Sequence, residues 1–243
     1  MVLVLFRNLT ETDKTNAVEH LIKNSTPNQD FFFMITLSIL TATFGLITNS
    51  TAVIIGSMLI APMLYPLLSL SLGVTISDAG LVSRSFYTTL KSFVYAIATS
   101  AIATLLFSPY FTSITPEVMS RVEPTLPFFA IAIVAGFAGS FALVKPQLNE
   151  TLPGIAISVA LIPPLAVIGI GIAKFNWAII SGSLLLFIVN AVGIVFAGMI
   201  VFSMMNFYVK RSEAKKTVKK EDKRVEREKK RAEEQAENEN KES

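Results

Sequence analysis

The chain has no cysteine, one histidine and one tryptophan. Without cysteine there is no disulfide framework, no thiolate metal site and no cysteine nucleophile. The single histidine, His20, lies in the polar start of the chain, so no serine in the apolar region has a base to activate it. A phosphate-binding glycine loop, paired intramembrane aspartates and a His-rich metal pattern are all missing as well. Catalysis is therefore not expected, and no cofactor or metal is implied. Charge is the next scarcity. Between Phe31 and Val209 only nine residues are ionisable acids or bases: Asp78, Arg84, Lys91, Glu117, Arg121, Glu123, Lys145, Glu150 and Lys174. A globular surface needs roughly a quarter of its residues charged, so this stretch is not one. The overall charge of +3 averages a nearly neutral apolar block with a tail after Tyr208 that holds 13 of the 21 basic and 10 of the 18 acidic residues. Met1 to Phe6 has no basic region before it and is too short for a signal-peptide core, so the start reads as mature chain.

What is present is a set of apolar runs of about 20 residues, the length that crosses a bilayer core of about 30 Å. Six are expected, at roughly 31–47, 52–73, 85–107, 128–148, 152–173 and 177–208. Thr48 to Thr51 is short enough for a helical hairpin, and Pro146 with Asn149 to Thr151 makes the matching turn later on. Pro109, Pro116, Pro124 and Pro127 punctuate the long connection, 108–127. Residues 1–30 read as a short soluble segment, with a strand-like Val2 to Phe6 and a helix starting at Thr10-Glu-Thr-Asp13 that buries Val18, Leu21 and Ile22. Residues 31–208 form the membrane domain and 209–243 a charged tail.

Two proline-broken stretches stand out, Ser57-Met-Leu-Ile-Ala-Pro62 and Ser158-Val-Ala-Leu-Ile-Pro163, 101 positions apart. At that offset the first three runs overlie the last three, which predicts internal duplication. A unit that crosses an odd number of times must face the opposite way in its second copy. The expected fold is thus an all-α polytopic membrane protein of six transmembrane helices, arranged as two inverted three-helix repeats with proline-broken second and fifth helices. A buried proline removes one donor and frees the carbonyl four residues back, which hydrocarbon cannot satisfy. Either the prolines only kink packed helices, or the breaks form a polar site.

Basic residues in short connections stay on the cytoplasmic side. With the N-terminus inside, Arg7, Lys14, Lys23, Arg84, Lys91, Lys145 and the tail are inside and only Arg121 and Lys174 outside, so both termini are expected to be cytoplasmic in a multi-pass cell-membrane protein. Trp177, Tyr208, Tyr65 and Tyr110 fit interfacial anchors.

Asn49-Ser-Thr-Ala-Val-Ile-Ile-Gly-Ser-Met-Leu-Ile-Ala-Pro62-Met-Leu-Tyr-Pro66, followed by Ile157-Ser-Val-Ala-Leu-Ile-Pro163-Pro164-Leu-Ala-Val-Ile-Gly169-Ile-Gly171, resembles the prokaryotic integral-membrane hydrophobic-domain family catalogued as domain of unknown function 389. The similarity covers about residues 35–205. It implies a membrane domain without an agreed activity. Members often carry a larger soluble N-terminal domain, which this chain is expected to lack or to have reduced to 30 residues.

The functional expectation is a transporter or channel that moves a small solute or ion through a midplane site formed by the two broken helices. The expected pathway residues are Asn49, Ser57, Pro62, Pro66, Glu150, Ser158, Pro163 and Pro164. Glu150 is equally a helix cap beside Pro153, and Asn49, Ser50 and Thr51 equally cap the second helix. Lys91 either snorkels to the surface or lines the path. The alternative is a non-transporting oligomeric scaffold or sensor. Lys215, Lys216, Lys219 and Lys220, in the basic start of the tail, are expected to bind anionic lipid, and the tail itself to be a solvated helix that frays. Expected partners are membrane lipids, the solute or ion, and further copies in a homo-oligomer, with no nucleic acid.

Overall fold

The computed structural model describes residues 10–107, 113–145, 147–148 and 161–242, with side chains to 235. The expected strand at Val2 to Phe6, the second hairpin at Asn149 to Thr151 with Glu150, Tyr110, and Ser158 all lie outside the described residues. Among the described residues every regular element is helical.

Helix α1, Glu11–Asn24, starts where the sequence places it: the Thr10 hydroxyl accepts from the Asp13 amide, and the Asp13 carboxylate accepts from the Thr10 amide, a capping box. It buries Ala17, Val18, Leu21 and Ile22. Next come α2, Gln29–Ile47, capped by Asn28, then α3, Thr51–Ile60, α4, Leu64–Thr75, and α5, Ala79–Leu106. A single turn, α6, Pro116–Met119, precedes α7, Leu126–Val144. Helix α8, Ile162–Ala173, is followed by α9, Trp177–Met204. A 3-10 turn, Phe207–Lys210, joins α9 to the tail helix α10, Arg211–Glu242.

Four of these helices (α2, α5, α7 and α9) are long and apolar enough to cross a membrane, or five if α3 and α4, bent by 50° at their break, are taken as one span. Of the expected 152–173 run, only α8 lies among the described residues. The 85–107 run begins earlier, at Ala79, because Asp78 caps α5 by accepting from the Leu81 amide at 3.0 Å. The last run stops at Met204, where Asn206 turns left-handed at φ 57°.

Three hairpins share one local design. Gly45-Leu-Ile-Thr-Asn-Ser50, Gly73-Val-Thr-Ile-Ser-Asp78 and Gly171-Ile-Ala-Lys-Phe-Asn176 each place a left-handed residue, Asn49, Ser77 or Phe175, before the cap of the next helix. In each, the cap amide donates to the glycine carbonyl, at 2.8, 2.9 and 2.9 Å. The glycine is required because the following helix passes over it: a Cβ on Gly45, Gly73 or Gly171 would lie 2.8, 2.9 or 2.9 Å from Ile54, Val82 or Ile180.

Helix α8 is the centre of the bundle. It is buried from Leu161 to Gly171 and packs on α2, α5 and α9, with a lesser contact to α3. Around it, α9 packs on α7 and α4, and α5 packs on α2 and α4. The pair α4–α5 matches α8–α9 in length, 12 and 28 residues each, at a spacing of 98 residues. This register differs from the 101 suggested by Pro62 and Pro163, and it sets Pro66 opposite Pro164 and Asp78 opposite Asn176.

The start of the described chain meets the turn between α9 and α10. The Lys210 ammonium lies 2.9 Å from the Glu11 carboxylate and 3.0 Å from the Thr15 hydroxyl. Rather than fraying in solvent, the first half of α10 docks on α1 and the start of α5, burying Ala214 and half-burying Val218 and Val225. Arg84 of α5 pairs with Asp222 at 3.0 Å.

Candidate functional site

The α3–α4 break follows from local chemistry. The residue before a proline is driven to extended backbone, and Ala61 sits at φ −80°, ψ 131°. Pro66 falls in the first turn of α4, where its missing N–H costs nothing. Helix α3 therefore ends with its last carbonyls unbonded along the chain. One of them, Ser57 O, accepts the Ser38 hydroxyl of α2 at 2.7 Å, while the Ser57 hydroxyl donates back to Ile54 O at 2.6 Å. Ser57 is fully buried and Pro62 half-buried. On the other side, Pro163 and Pro164 occupy the first turn of α8, both buried. The described contacts thus bring the two proline segments onto neighbouring helices, α3 and α8.

Instead, the interior carries hydroxyls. Thr43 of α2 donates to the Ser100 Oγ of α5 at 2.9 Å, and Ser100 donates to Ala166 O of α8 at 2.8 Å. Ser85 and Ser69 join α5 to α4 at 2.9 Å. These helices approach closely: a Cβ on Gly169 would lie 2.5 Å from Ser100 Cβ, and one on Gly198 would lie 2.7 Å from Ser71 Oγ. The two contacts are the same contact in the 98-residue register, with serine and glycine exchanged between helices. Small residues that let backbones approach, with hydroxyls bonding across them, are how apolar helices associate in lipid. None of these hydroxyl pairs was anticipated from sequence. Their signal was the pairing of Gly73 with Gly171 and of Ser71 with Gly169.

Asn49 is at the far end of the bundle from α1. It is exposed, left-handed, and its Oδ1 accepts the Glu117 amide at 3.2 Å. Glu117 pairs with Arg121 at 2.6 Å and accepts the Thr51 hydroxyl. That hydroxyl, together with the Arg121 guanidinium, holds the Glu117 carboxyl below its ordinary value. The expected pathway residue Asn49 is thereby placed in a polar clasp that ties the 115–121 segment to the α2–α3 hairpin. Lys91 is exposed, its ammonium 4.9 Å from the Phe32 ring centroid.

At the opposite end, a cleft of about 570 Å³ lies between α1, the end of α7 and α10, lined by Asp13, His20, Lys23, Leu143, Lys220, Glu221 and Arg224 among others. His20 packs edge-on against Tyr65, 5.7 Å between centroids. Burial, then Lys23, holds its imidazole below the ordinary value. Of the four lysines expected to meet lipid, Lys220 faces this cleft, whereas Lys215 and Lys219 face a different one beside Asp78, and Lys216 is exposed. Among the described residues no cluster of acids and histidine could hold a metal ion.

The profile of the family described as Domain of unknown function (DUF389) matches residues 58–196. An uncharacterized protein of the archaeon Methanocaldococcus jannaschii is 32% identical over 198 residues, covering 78% of this chain and 59% of that relative, so the chain spans about three-fifths of the relative's length. No solved structure matches the chain.

Proposed function

We propose that this chain, which belongs to the family defined by domain of unknown function 389, moves a small solute or ion across a cell membrane through a site near mid-depth, where the α3–α4 pair breaks and α8 begins. The observation that carries this reading is the 50° break at Ala61 to Met63 inside an apolar helix pair. Broken helices in lipid are tolerated only where protein or a water-lined path covers the freed backbone, and transporters place their sites there. Helix α3 descends 10 residues from the far-end hairpin, about 15 Å, and α8 begins 12 residues, about 18 Å, from its own far-end hairpin. The α3–α4 break and the start of α8 then both fall near the middle of a core of about 30 Å.

The 98-residue match of α4–α5 to α8–α9 supports a duplicated unit. Helix α2 begins beside α10, where Asn28 and Gln29 line a cleft with Val225 and Lys229, whereas α7 ends beside α10, where Leu143 and Val144 line the α1 cleft. Opposite directions of the first helix in each unit support inversion, with six crossings if the undescribed residues before α8 complete a fifth. In this reading the structure is a closed form. Rocking one three-helix unit against the other exposes the breaks to either side, and a solute meets hydroxyls and backbone groups rather than fixed charge. Both termini lie in the cytoplasm.

A second reading, a non-transporting oligomeric scaffold, is favoured by one observation: the Ser57 carbonyl already has a protein donor, and Pro66, Pro163 and Pro164 are packed. The two readings part on water access. The chain has no cysteine, so Pro62→Cys and Ile162→Cys can be probed with a membrane-impermeant thiol reagent in proteoliposomes. Transport requires both to react, and flux to fall on reaction, while lipid-facing Leu59→Cys stays unreactive. A Pro62→Cys variant that stays unreactive in folded, monodisperse protein would support the scaffold.

A further inference from the structure

Helix α5 carries, on one face, residues of two quite different surroundings. Ala79 and, two to four turns further along, Phe86, Leu90 and Phe93 share that face by helical spacing. At its start, a cleft of about 470 Å³ is lined by Asp78, Ala79, Gly80 and Leu81 from α5 and by Arg211, Lys215, Lys219 and Lys223 from α10. The four cations recur every four residues, so they form one row along α10. Deeper on the same face, an almost wholly apolar groove of about 640 Å³ runs between α5 and α9, floored by Leu67 and Leu70 of α4 and lined by Phe86, Leu90, Phe187 and Phe196.

The chain connects cleft and groove twice. Along α5, Ala79 lies about 10 Å from Phe86 and about 21 Å from Phe93. Along the other wall, Met199 at the groove is followed twelve positions later by Arg211 at the cleft. A leaflet is half of a core about 30 Å thick, so the groove lies at acyl-chain depth beneath a cleft at headgroup depth.

The charges in the cleft favour an anion. Three carboxylates also line it, Asp78, Asp222 and Glu226. Asp222 is taken by Arg84 at 3.0 Å. Asp78 is 4% exposed and uses one oxygen to cap α5; the other faces Arg211 and Lys215 at 4.0 and 3.9 Å, too far for hydrogen bonds. Lys219 and Lys223 form no ion pair among the described residues. Donors on the row are therefore left for an external acceptor, and Glu226 is the one carboxylate of the three without a partner among the described residues.

We propose that cleft and groove together form a binding site for one anionic phospholipid, its phosphate held by the Arg211–Lys215–Lys219–Lys223 row at the start of α5 and an acyl chain lying in the groove between α5 and α9. The site requires only that α5 and α9 cross a bilayer; it stands or falls separately from transport. A soluble phosphate would explain the cleft but not the apolar groove aligned beneath it, and a second copy of the chain would explain the groove but not the unpaired cations.

The test uses the full chain with Trp177→Phe and Phe86→Trp, so that one tryptophan sits at the groove, reconstituted into phosphatidylcholine bilayers. Brominated phosphatidylglycerol quenches a tryptophan it touches. The expected result is quenching that corresponds to a local enrichment of roughly tenfold over brominated phosphatidylcholine at equal mole fraction. The preference should vanish in Lys215→Gln/Lys219→Gln/Lys223→Gln, persist when the same positions become arginine, and be absent when the tryptophan is moved instead to position 126 on the far end of α7. Equal quenching by both lipids at position 86, or a preference that survives the triple glutamine change, overturns the proposal. Should the triple variant fail to fold, Lys219→Gln and Lys223→Gln are measured singly, and no loss in either has the same force. Abolition of the preference by inorganic phosphate at constant ionic strength would assign the row to a soluble anion and also overturn it.

Discussion

Replacing Gly169 with alanine probes the tightest helix contact of the core. The new methyl would meet Ser100 Cβ at 2.5 Å, Ser100 Oγ at 2.7 Å and the Ala101 amide nitrogen at 2.8 Å. Side chain alone cannot relieve this, because one of the three contacts is backbone, so α8 and α5 must separate. Overpacking of this kind costs about 1–3 kcal/mol. Separation also strains the Ser100–Ala166 and Thr43–Ser100 hydrogen bonds, which in a membrane interior are worth about 0.6 kcal/mol each. The expected loss is about 2–4 kcal/mol, a factor of roughly 30 to 1,000 in the folding equilibrium, read by denaturant unfolding in mixed micelles or by steric trapping in bicelles. The exchange Gly169→Ser with Ser100→Gly is the sharper form. It rebuilds at α8–α5 the arrangement that Ser71 and Gly198 already make at α4–α9, so it should recover at least half of the loss suffered by Gly169→Ser alone. A Gly169→Ala change of under about 0.5 kcal/mol, or an exchange no better than the single change, would refute the close packing and the 98-residue register on which it rests.

Other consequences can be checked with less. Gly182→Ala would drive a methyl into the Val122 carbonyl oxygen; it should cost more than about 2 kcal/mol, against less than about 0.5 kcal/mol for Gly56→Ala, which meets nothing. The His20 imidazole is held below its ordinary 6.5, so the unfolded chain takes up its proton first as pH falls. Docking of α1 should be fully present above that value and weaken as pH drops through the depressed folded value, with the dependence lost in His20→Phe; hydrogen exchange of α1 amides reports it. The Glu117 carboxyl is also held low, so the Thr51–Glu117–Arg121 clasp should persist above the ordinary 4.5 and open only as pH falls below it. Cysteines introduced by Ser113→Cys and Ser212→Cys should label from opposite membrane faces; labelling from one face would remove both the topology and the inverted units.

Much of the fold was legible because it rests on local chemistry. The Thr10–Asp13 capping box, the Asn49 hairpin and the break before Pro62 follow from residue types at fixed spacing. The 98-residue spacing of α4–α5 and α8–α9 did not, because Pro62 and Pro163 are matched in composition but belong to different positions in that frame: Pro62 lies in the break itself, whereas Pro163 lies inside the first turn of α8. Charge density alone makes the tail read as a solvated helix. Its docking depends on Ala214, Val218 and Val225, three small apolar residues spaced four and seven apart, whose partners on α1 and α5 sequence cannot name. The same blindness groups Lys215, Lys216, Lys219 and Lys220 by proximity in the chain, when helix geometry sends Lys220 to one cleft and Lys215 and Lys219 to another. Hydroxyl pairs such as Thr43–Ser100 are invisible until helices are placed side by side.

Whether the breaks serve passage of a solute is answered most directly by flux. Purified protein in proteoliposomes, tested against a panel of inorganic ions and small neutral and anionic solutes, should admit at least one above protein-free liposomes, and modification of Pro62→Cys should block that flux without changing the protein's elution. Folded wild-type protein that admits none of the panel above protein-free liposomes, with the cysteine at position 62 inert to reagent, would contradict a pathway at the helix breaks.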